Sequence, residues 1–226
     1  MNAAGVFVTG TDTGIGKTHA SVALLRAHRA NGHRAIGMKP VASGCRETPE
    51  GLRNDDAEAL IAASTPAPAY ALCNPFAFLP PVAPHLAAHD AGVEIALDPI
   101  VDAWRQLSAR ADRLVVEGVG GWSVPLSDVL MQADLVRALD MPVVLVVGLR
   151  LGCINHALLS VRAIVADGCT LAGWIANRID PAMAAVEANL ATLRARIAAP
   201  LLGEIAHAPA TSDADVAALA QAVRSL

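Results

Sequence analysis

Short apolar runs recur along the chain, separated by longer mixed stretches. Residues 6–8, 34–39, Arg113–Glu117, 142–148, 171–176 and Leu201–Ile205 are rich in Val, Leu and Ile and show no strict polar alternation. Such runs are expected of strands covered on both faces, as in a parallel sheet. The stretches between them predict helices over 17–31, Asp55–Ala63, 98–110, 152–167, 182–197 and 213–226. Asn54 or Asp55 can cap the second of these, and Pro99 suits the first turn of the third. Residues 65–84 hold Pro66, Pro68, Pro75, Pro80, Pro81 and Pro84, which breaks regular structure except for one short strand within 71–78. Strand alternating with helix predicts an α/β fold: a single, doubly wound, mostly parallel sheet of six or seven strands with helices on both faces. Residues 1–226 read as one domain, with no internal repeat.

Composition narrows the setting. At 226 residues with 54% hydrophobic content, the chain can bury a large core. Its longest apolar run, near 141–147, falls well short of the roughly 20 residues of a membrane helix, and no basic-then-apolar leader opens the sequence. Cys45, Cys73, Cys153 and Cys169 have no C-x-x-C spacing and read as reduced thiols of a cytoplasmic protein. A net charge of −4 argues against a nucleic-acid partner. Fifteen of the seventeen basic residues are Arg, and the only lysines are Lys17 and Lys39. Lysine persists against such a bias where a compact ammonium on a flexible stem cannot be exchanged for a planar fork.

Lys17 lies in the most informative stretch, G-V-F-V-T-G-T-D-T-G-I-G-K-T at 5–18, where a strand, a glycine-rich turn and a helix start follow one another. That context makes a phosphate cradle: loop N–H groups and the helix N-terminus face an anion, Lys17 reaches the β/γ-phosphates and the Thr18 hydroxyl suits Mg²⁺. The usual spacing puts the first glycine at position 11, which is Thr11 here; Gly10 comes one residue early. Lys39 and Glu117 each end a predicted strand, at the sheet edge where open α/β folds bind ligands.

Four segments together resemble the dethiobiotin synthase family: G-T-D-T-G-I-G-K-T (10–18), K-P-V-A-S-G (39–44) with T-P-E-G-L-R-N-D-D (48–56), V-E-G-V-G-G-W (116–122) and L-G-C-I-N-H (151–156). P-L-L-G-E-I (200–205) is similar too, so the likeness spans almost the whole chain in order. The resemblance implies ATP-dependent, Mg²⁺-dependent closure of a ureido ring: 7,8-diaminopelargonate (7,8-diaminononanoate) takes up CO₂ as an N7 carbamate, which the γ-phosphate activates as a carbamic–phosphoric anhydride before the second amine closes dethiobiotin. It also implies a homodimer.

Roles carried over by the resemblance are as follows. Lys39, Lys17 and Thr13 act in catalysis. Gly14, Ile15, Gly16, Lys17, Thr18 and His19 hold the nucleotide, with Asp56, Glu117, Gly118, Val119 and Gly120 beside it. Thr18, Asp56 and Glu117 offer hard oxygens to the metal, although Asp56 reads equally as a helix-start acid. Ser43 contacts carbamate or diamine, or else caps its own loop. The backbone at Leu151, Gly152, Cys153, Ile154 and Asn155 binds the substrate carboxylate across a dimer interface. Cys153 itself reads as a packed small residue, and His156 as a core or interface histidine. Arg150 stands where the family is expected to have lysine. Asn177 and Arg178, with Ala206, His207 and Ala208, face the base. Asn177-Arg178-Ile179-Asp180 also nearly matches a guanine-reading pattern, but Pro181 makes Asp180 the expected N-cap of the next helix.

Two other classes compete. A P-loop switch ATPase of the partitioning or cell-division type shares this fold. It commonly carries a second lysine in the phosphate loop, absent here, and in some cases a basic C-terminal membrane helix, against which Asp213 and Asp215 argue. An amide ligase of the cobyric-acid type needs a glutaminase domain for which 226 residues leave no room.

Overall fold

The computed structural model describes residues 4–208 and 212–225. In chain order, β1 (Ala4–Gly10) feeds α1 (Lys17–Ala30), then β2 (Ala35–Met38) and three short strands, β3 (Val41–Ala42), β4 (Arg46–Thr48) and β5 (Gly51–Arg53). There follow α2 (Asp55–Ala63), α3 (Tyr70–Cys73), β6 (Phe76–Ala77), α4 (Pro84–Asp90), α5 (Leu97–Ser108), β7 (Arg113–Glu117) and α6 (Gln132–Leu139). The rest is β8 (Val143–Gly148), α7 (Cys153–Ala166), β9 (Leu171–Asn177), α8 (Val186–Arg196), β10 (Leu201–Ile205) and α9 (Asp213–Ala222), with a 3₁₀ turn at Val223–Ser225.

Six of the strands form one parallel sheet in the order β10-β9-β8-β1-β7-β2. Its side chains alternate between two cores, as the two-residue strand period requires. Phe7, Ile36, Val116, Leu145 and Trp174 pack on the face covered by α5, α6, α7 and α8. Val6, Val8, Val115, Val144, Val146 and Ile175 pack on the face covered by α1, α2 and α9. The chain leaves β1 to one side for β2 and later crosses back for β8, so the carboxyl ends of β1, β7 and β2 open onto a switch point. Among the described residues no helix is long and apolar enough to cross a membrane.

The six expected core strands are all present, and the predicted helices lie within a few residues of those seen. The helix expected over 182–197 starts later, at Val186. Asp180 is therefore not its N-cap: its carboxylate accepts from the Ala182 N–H at 2.9 Å and caps a separate turn. The strand expected within 71–78 is largely a helical turn. Its Cys73 N–H reaches the Ala69 carbonyl at 3.1 Å and Pro75 ends it, leaving only Phe76–Ala77 to pair with Val41–Ala42. Helices α4 and α6 were not read from the sequence. The predicted end of the last helix, Leu226, lies outside the described residues.

Candidate active site

The loop after β1 is shaped by glycine where its backbone turns left-handed. Gly14 and Gly16 have φ of 72° and 80°, and a Cβ at Gly16 would collide with the Asn177 amide. That amide donates to the Ile15 carbonyl at 2.8 Å, which locks the loop onto the end of β9. Ile15 itself points into the core. The early Gly10 is also explained: a Cβ there would come within 2.7 Å of Ile15 Cδ1 and 3.0 Å of Lys17 Cγ. Lys17 at the start of α1 is 7% exposed and donates to the Asp12 carbonyl at 3.0 Å. Burial, followed by the charge of Lys39, brings its pKa down to about 8.

A cavity of about 730 Å³ opens above this loop. It is walled by Thr13, Gly14, Gly16, Lys17 and Thr18 from the loop, Lys39, Ser43 and Asp56 from the β2–α2 segment, and Glu117, Val119 and Gly120 from the end of β7. Eleven expected site residues thus converge from three separate parts of the chain. Ala42, Asn54, Gly121, Val124 and the stretch 81–84 complete the wall, and none of these was expected from the sequence as part of the site.

At the floor lies a charged cluster. Lys39 Nζ sits 2.7 Å from Glu117 Oε1, 3.0 Å from Asp56 Oδ2 and 3.1 Å from the Gly118 carbonyl oxygen. The Thr18 hydroxyl donates to the same Glu117 Oε1 at 2.8 Å. Burial alone would lower the Lys39 pKa, but the Glu117 and Asp56 carboxylates outweigh it and hold the ammonium above its ordinary value. Burial likewise works to raise Asp56, and the Lys39 charge with the Thr18 hydrogen bond brings it below the usual carboxylate range instead. Glu117 Oε2 is buried with no hydrogen-bond partner. An orphaned carboxylate lone pair beside Thr18 and Asp56 is what a hard cation would satisfy, so this oxygen set suits Mg²⁺.

The third wall is pinned by a residue that no motif marks. Gln132, 1% exposed at the start of α6, accepts from the Val119 N–H at 2.8 Å and donates to the Gly121 carbonyl at 2.8 Å. Gly118 is required beneath it, since a Cβ would lie 2.5 Å from Gln132 Oε1. In sequence it is one amide in an amphipathic helix, and only the fold turns it inward.

Other expected site residues lie apart from the cavity. Leu151 is 96% exposed, Gly152 begins α7 with φ of 94°, Cys153 is buried, Ile154 is half-buried and Asn155 is exposed; none of the five lines the wall. Arg150 reaches the phosphate loop instead, pairing with Asp12 at 2.6 Å. His19 lies one turn into α1, its pKa lowered chiefly by burial. Arg178 is engaged by Glu187 at 2.7 Å and Glu204 at 3.0 Å, and His207 Nδ1 lies 3.1 Å from its carbonyl oxygen. Ala206 and Ala208 flank that histidine and are exposed.

A protein family described as "AAA domain" matches residues 4–215. Proteins named "ATP-dependent dethiobiotin synthetase BioD" align over most of this chain. That of Xanthomonas oryzae pv. oryzae (strain PXO99A) is 61% identical, covering 96% of each chain, and that of Xylella fastidiosa (strain 9a5c) is 59% identical over 92% of each. Among solved structures, the MinC:MinD cell division protein complex of Aquifex aeolicus aligns with TM-score 0.59 at 12% identity, over 99% of this chain and 97% of that one, a likeness of fold alone.

Proposed function

Because the chain belongs to the ATP-dependent dethiobiotin synthetase family, we propose that its cavity closes a cyclic urea on 7,8-diaminononanoate with CO₂ at the expense of ATP. Membership makes it a ligase of biotin biosynthesis that uses ATP. The finer reading rests on one observation: Lys17 and Lys39, the only lysines in the chain, are both buried on one cavity, the first in a phosphate loop and the second on paired carboxylates.

In this reading, amine N7 of the substrate adds to CO₂ and loses a proton, giving a carbamate. A carbamate oxygen attacks the γ-phosphorus and ADP departs, leaving a carbamic–phosphoric anhydride. The second amine attacks the anhydride carbonyl, phosphate leaves with the C–O bond's electron pair, and a proton is lost as the ring closes. Phosphoryl transfer of this kind asks for positioning and charge neutralisation rather than covalent help. Lys17, the N–H groups of residues 14–18 and the N-terminus of α1 hold the phosphates. Lys39 supplies a preorganised positive charge to the carbamate and to the anion formed in transfer. Thr13 and Ser43 offer hydroxyls to the same cavity, and Val119 and Gly120 close the third wall, with the Gly118 carbonyl on Lys39.

Thr18, Asp56 and Glu117 would hold Mg²⁺, which when bound neutralises charge on the phosphates. In this reading Asn177 and Arg178, with Ala206, His207 and Ala208, face the base. The N–H groups at the start of α7 take the substrate carboxylate in a cytoplasmic homodimer, where the exposed Leu151 turn of one protomer faces the cavity of its partner. Such a helix start binds an anion without a cation.

The test is a product assay by mass spectrometry with diamine, bicarbonate, Mg²⁺ and a panel of triphosphates. A cyclic urea is expected, with nucleotide hydrolysis dependent on both diamine and bicarbonate. Equal hydrolysis with and without the diamine overturns the reading, and full activity in a monomeric sample overturns the shared carboxylate site.

A further inference from the structure

Lys39 and Asp56 come from separate parts of the chain, and their 3.0 Å contact is a meeting of two backbones as well as two charges. Lys39 lies one residue past β2, beyond the ladder that fixes the sheet. Its backbone is held instead by the turn at α3: the Lys39 N–H donates to the Cys73 carbonyl at 2.7 Å, and its C=O accepts from Asn74 Nδ2 at 2.7 Å. Asn74 is 3% exposed, and the same nitrogen also reaches the Phe76 carbonyl at 3.0 Å. The remaining side-chain atom of Asn74, Oδ1, accepts from the Tyr70 hydroxyl at 3.0 Å.

Tyr70 then connects to the other arm of the cluster. Its hydroxyl oxygen accepts from the Asn54 N–H at 2.7 Å, while Asn54 Oδ1 caps α2 by accepting from the Ala57 N–H at 3.2 Å. Helix α2 carries Asp56 in its first turn. The bonds close a ring: Lys39 backbone, Asn74, Tyr70, Asn54, α2, Asp56 and back to the Lys39 ammonium. The ring of Tyr70 is kept in place by Arg53, whose guanidinium carbon stands 4.3 Å from its centroid. The hydroxyl thus joins the segment holding Lys39 to the cap holding Asp56, beside a longer contact of Cys73 Sγ with the Ala57 carbonyl at 3.7 Å.

We propose that Tyr70, acting through Asn74 and Asn54, is a positioning residue that sets the Lys39–Asp56 contact and with it the geometry of the charged cluster. This rests on the ligase reading for its catalytic consequence, but not for its structural one. A shared linkage of this kind makes the losses on cutting it at two points non-additive.

The chain has one tyrosine and two lysines, which makes the test clean. In ¹⁵N-lysine-labelled apoprotein, Lys17 and Lys39 give two ammonium resonances. In Tyr70→Phe the Lys39 resonance is expected to shift or broaden more than that of Lys17, which feels the cluster only through its charges, because Phe keeps the ring under Arg53 and removes only the hydroxyl. Unchanged Lys39 resonances in both Tyr70→Phe and Asn74→Leu overturn the proposal, whatever reaction the protein performs. In the product assay, Tyr70→Phe is expected to lose kcat about 10-fold with KM for the triphosphate within about 2-fold, since Lys17 is untouched. The double variant Tyr70→Phe/Asn74→Leu should be no slower than the worse single one. Multiplied losses, or kcat unchanged in a less stable protein, mean an ordinary structural contact and refute the positioning role. Absence of cyclic urea from the wild-type chain sinks the ligase reading instead, and the resonances still decide the relay.

Discussion

Replacing Lys39 by Met isolates what the charged cluster contributes before any ligand binds. The Glu117 side chain is fully buried, whereas the Asp56 side chain is 43% exposed and can be solvated. Removing the ammonium leaves Glu117 with only the Thr18 hydroxyl on Oε1 and nothing on Oε2. Breaking a buried pair from one side costs about 3–5 kcal/mol, because an uncompensated charge stays behind. The Lys39 stem is apolar and Met fills most of its volume, so little of that cost comes from a cavity. Urea unfolding in metal-free buffer should therefore show Lys39→Met less stable by about 3–5 kcal/mol, with an unchanged m-value. Glu117→Gln in the same background neutralises the stranded charge while keeping an oxygen for Thr18, and should restore at least half of the loss. The double variant then exceeds the sum of the singles in stability, a coupling of about 2 kcal/mol or more. A cost below about 1 kcal/mol for Lys39→Met, or plain additivity in the cycle, would refute the reasoning that Lys39 is the counter-ion of Glu117.

Other outcomes test separate parts of the molecule. In steady-state kinetics Lys39→Gln should reduce turnover far more than nucleotide affinity, while Lys17→Gln reduces both; similar binding losses in the two variants would make Lys39 a phosphate ligand only. Gln132→Met strands the Val119 N–H and leaves the Gly121 carbonyl to the Thr9 hydroxyl at 3.3 Å, and should cost about 1–3 kcal/mol in chemical unfolding. His28, buried in α1 with neither ring nitrogen partnered, has its pKa brought down from 6.5 to about 4 by burial and by the charge of Arg113. A depressed histidine favours the neutral form when folded, so its contribution is intact above the unfolded pKa and is lost as pH falls from 6.5 towards 4. Between pH 7 and 5 the loss amounts to about 2 kcal/mol, and His28→Leu should flatten the stability curve over that range; a curve as steep as that of wild type contradicts the assignment.

The six sheet strands were legible because a strand buried on both faces must be apolar throughout, and nothing else in a chain of this composition is. The phosphate loop was legible for a local reason: its glycines, Lys17 and Thr18 are neighbours in sequence. Sequence also singled out Lys39, Asp56 and Glu117, but only tertiary structure brought Lys39 within 3.0 Å of Asp56 and 2.7 Å of Glu117. Asp180 shows the limit of local rules. An acid before a proline is a sound cap signal, yet the helix begins six residues later at Val186, and a two-residue Asx turn takes the carboxylate. Gln132, Asn74 and Tyr70 left no signal at all. Each is a single polar side chain with at least one partner on backbone more than ten residues away along the chain, and backbone carries no residue identity to read. What the sequence determined by itself is therefore the sheet, the loop and the chemically distinctive residues. What the fold alone decided is their mutual distance, through hydrogen bonds that any sequence pattern leaves unwritten.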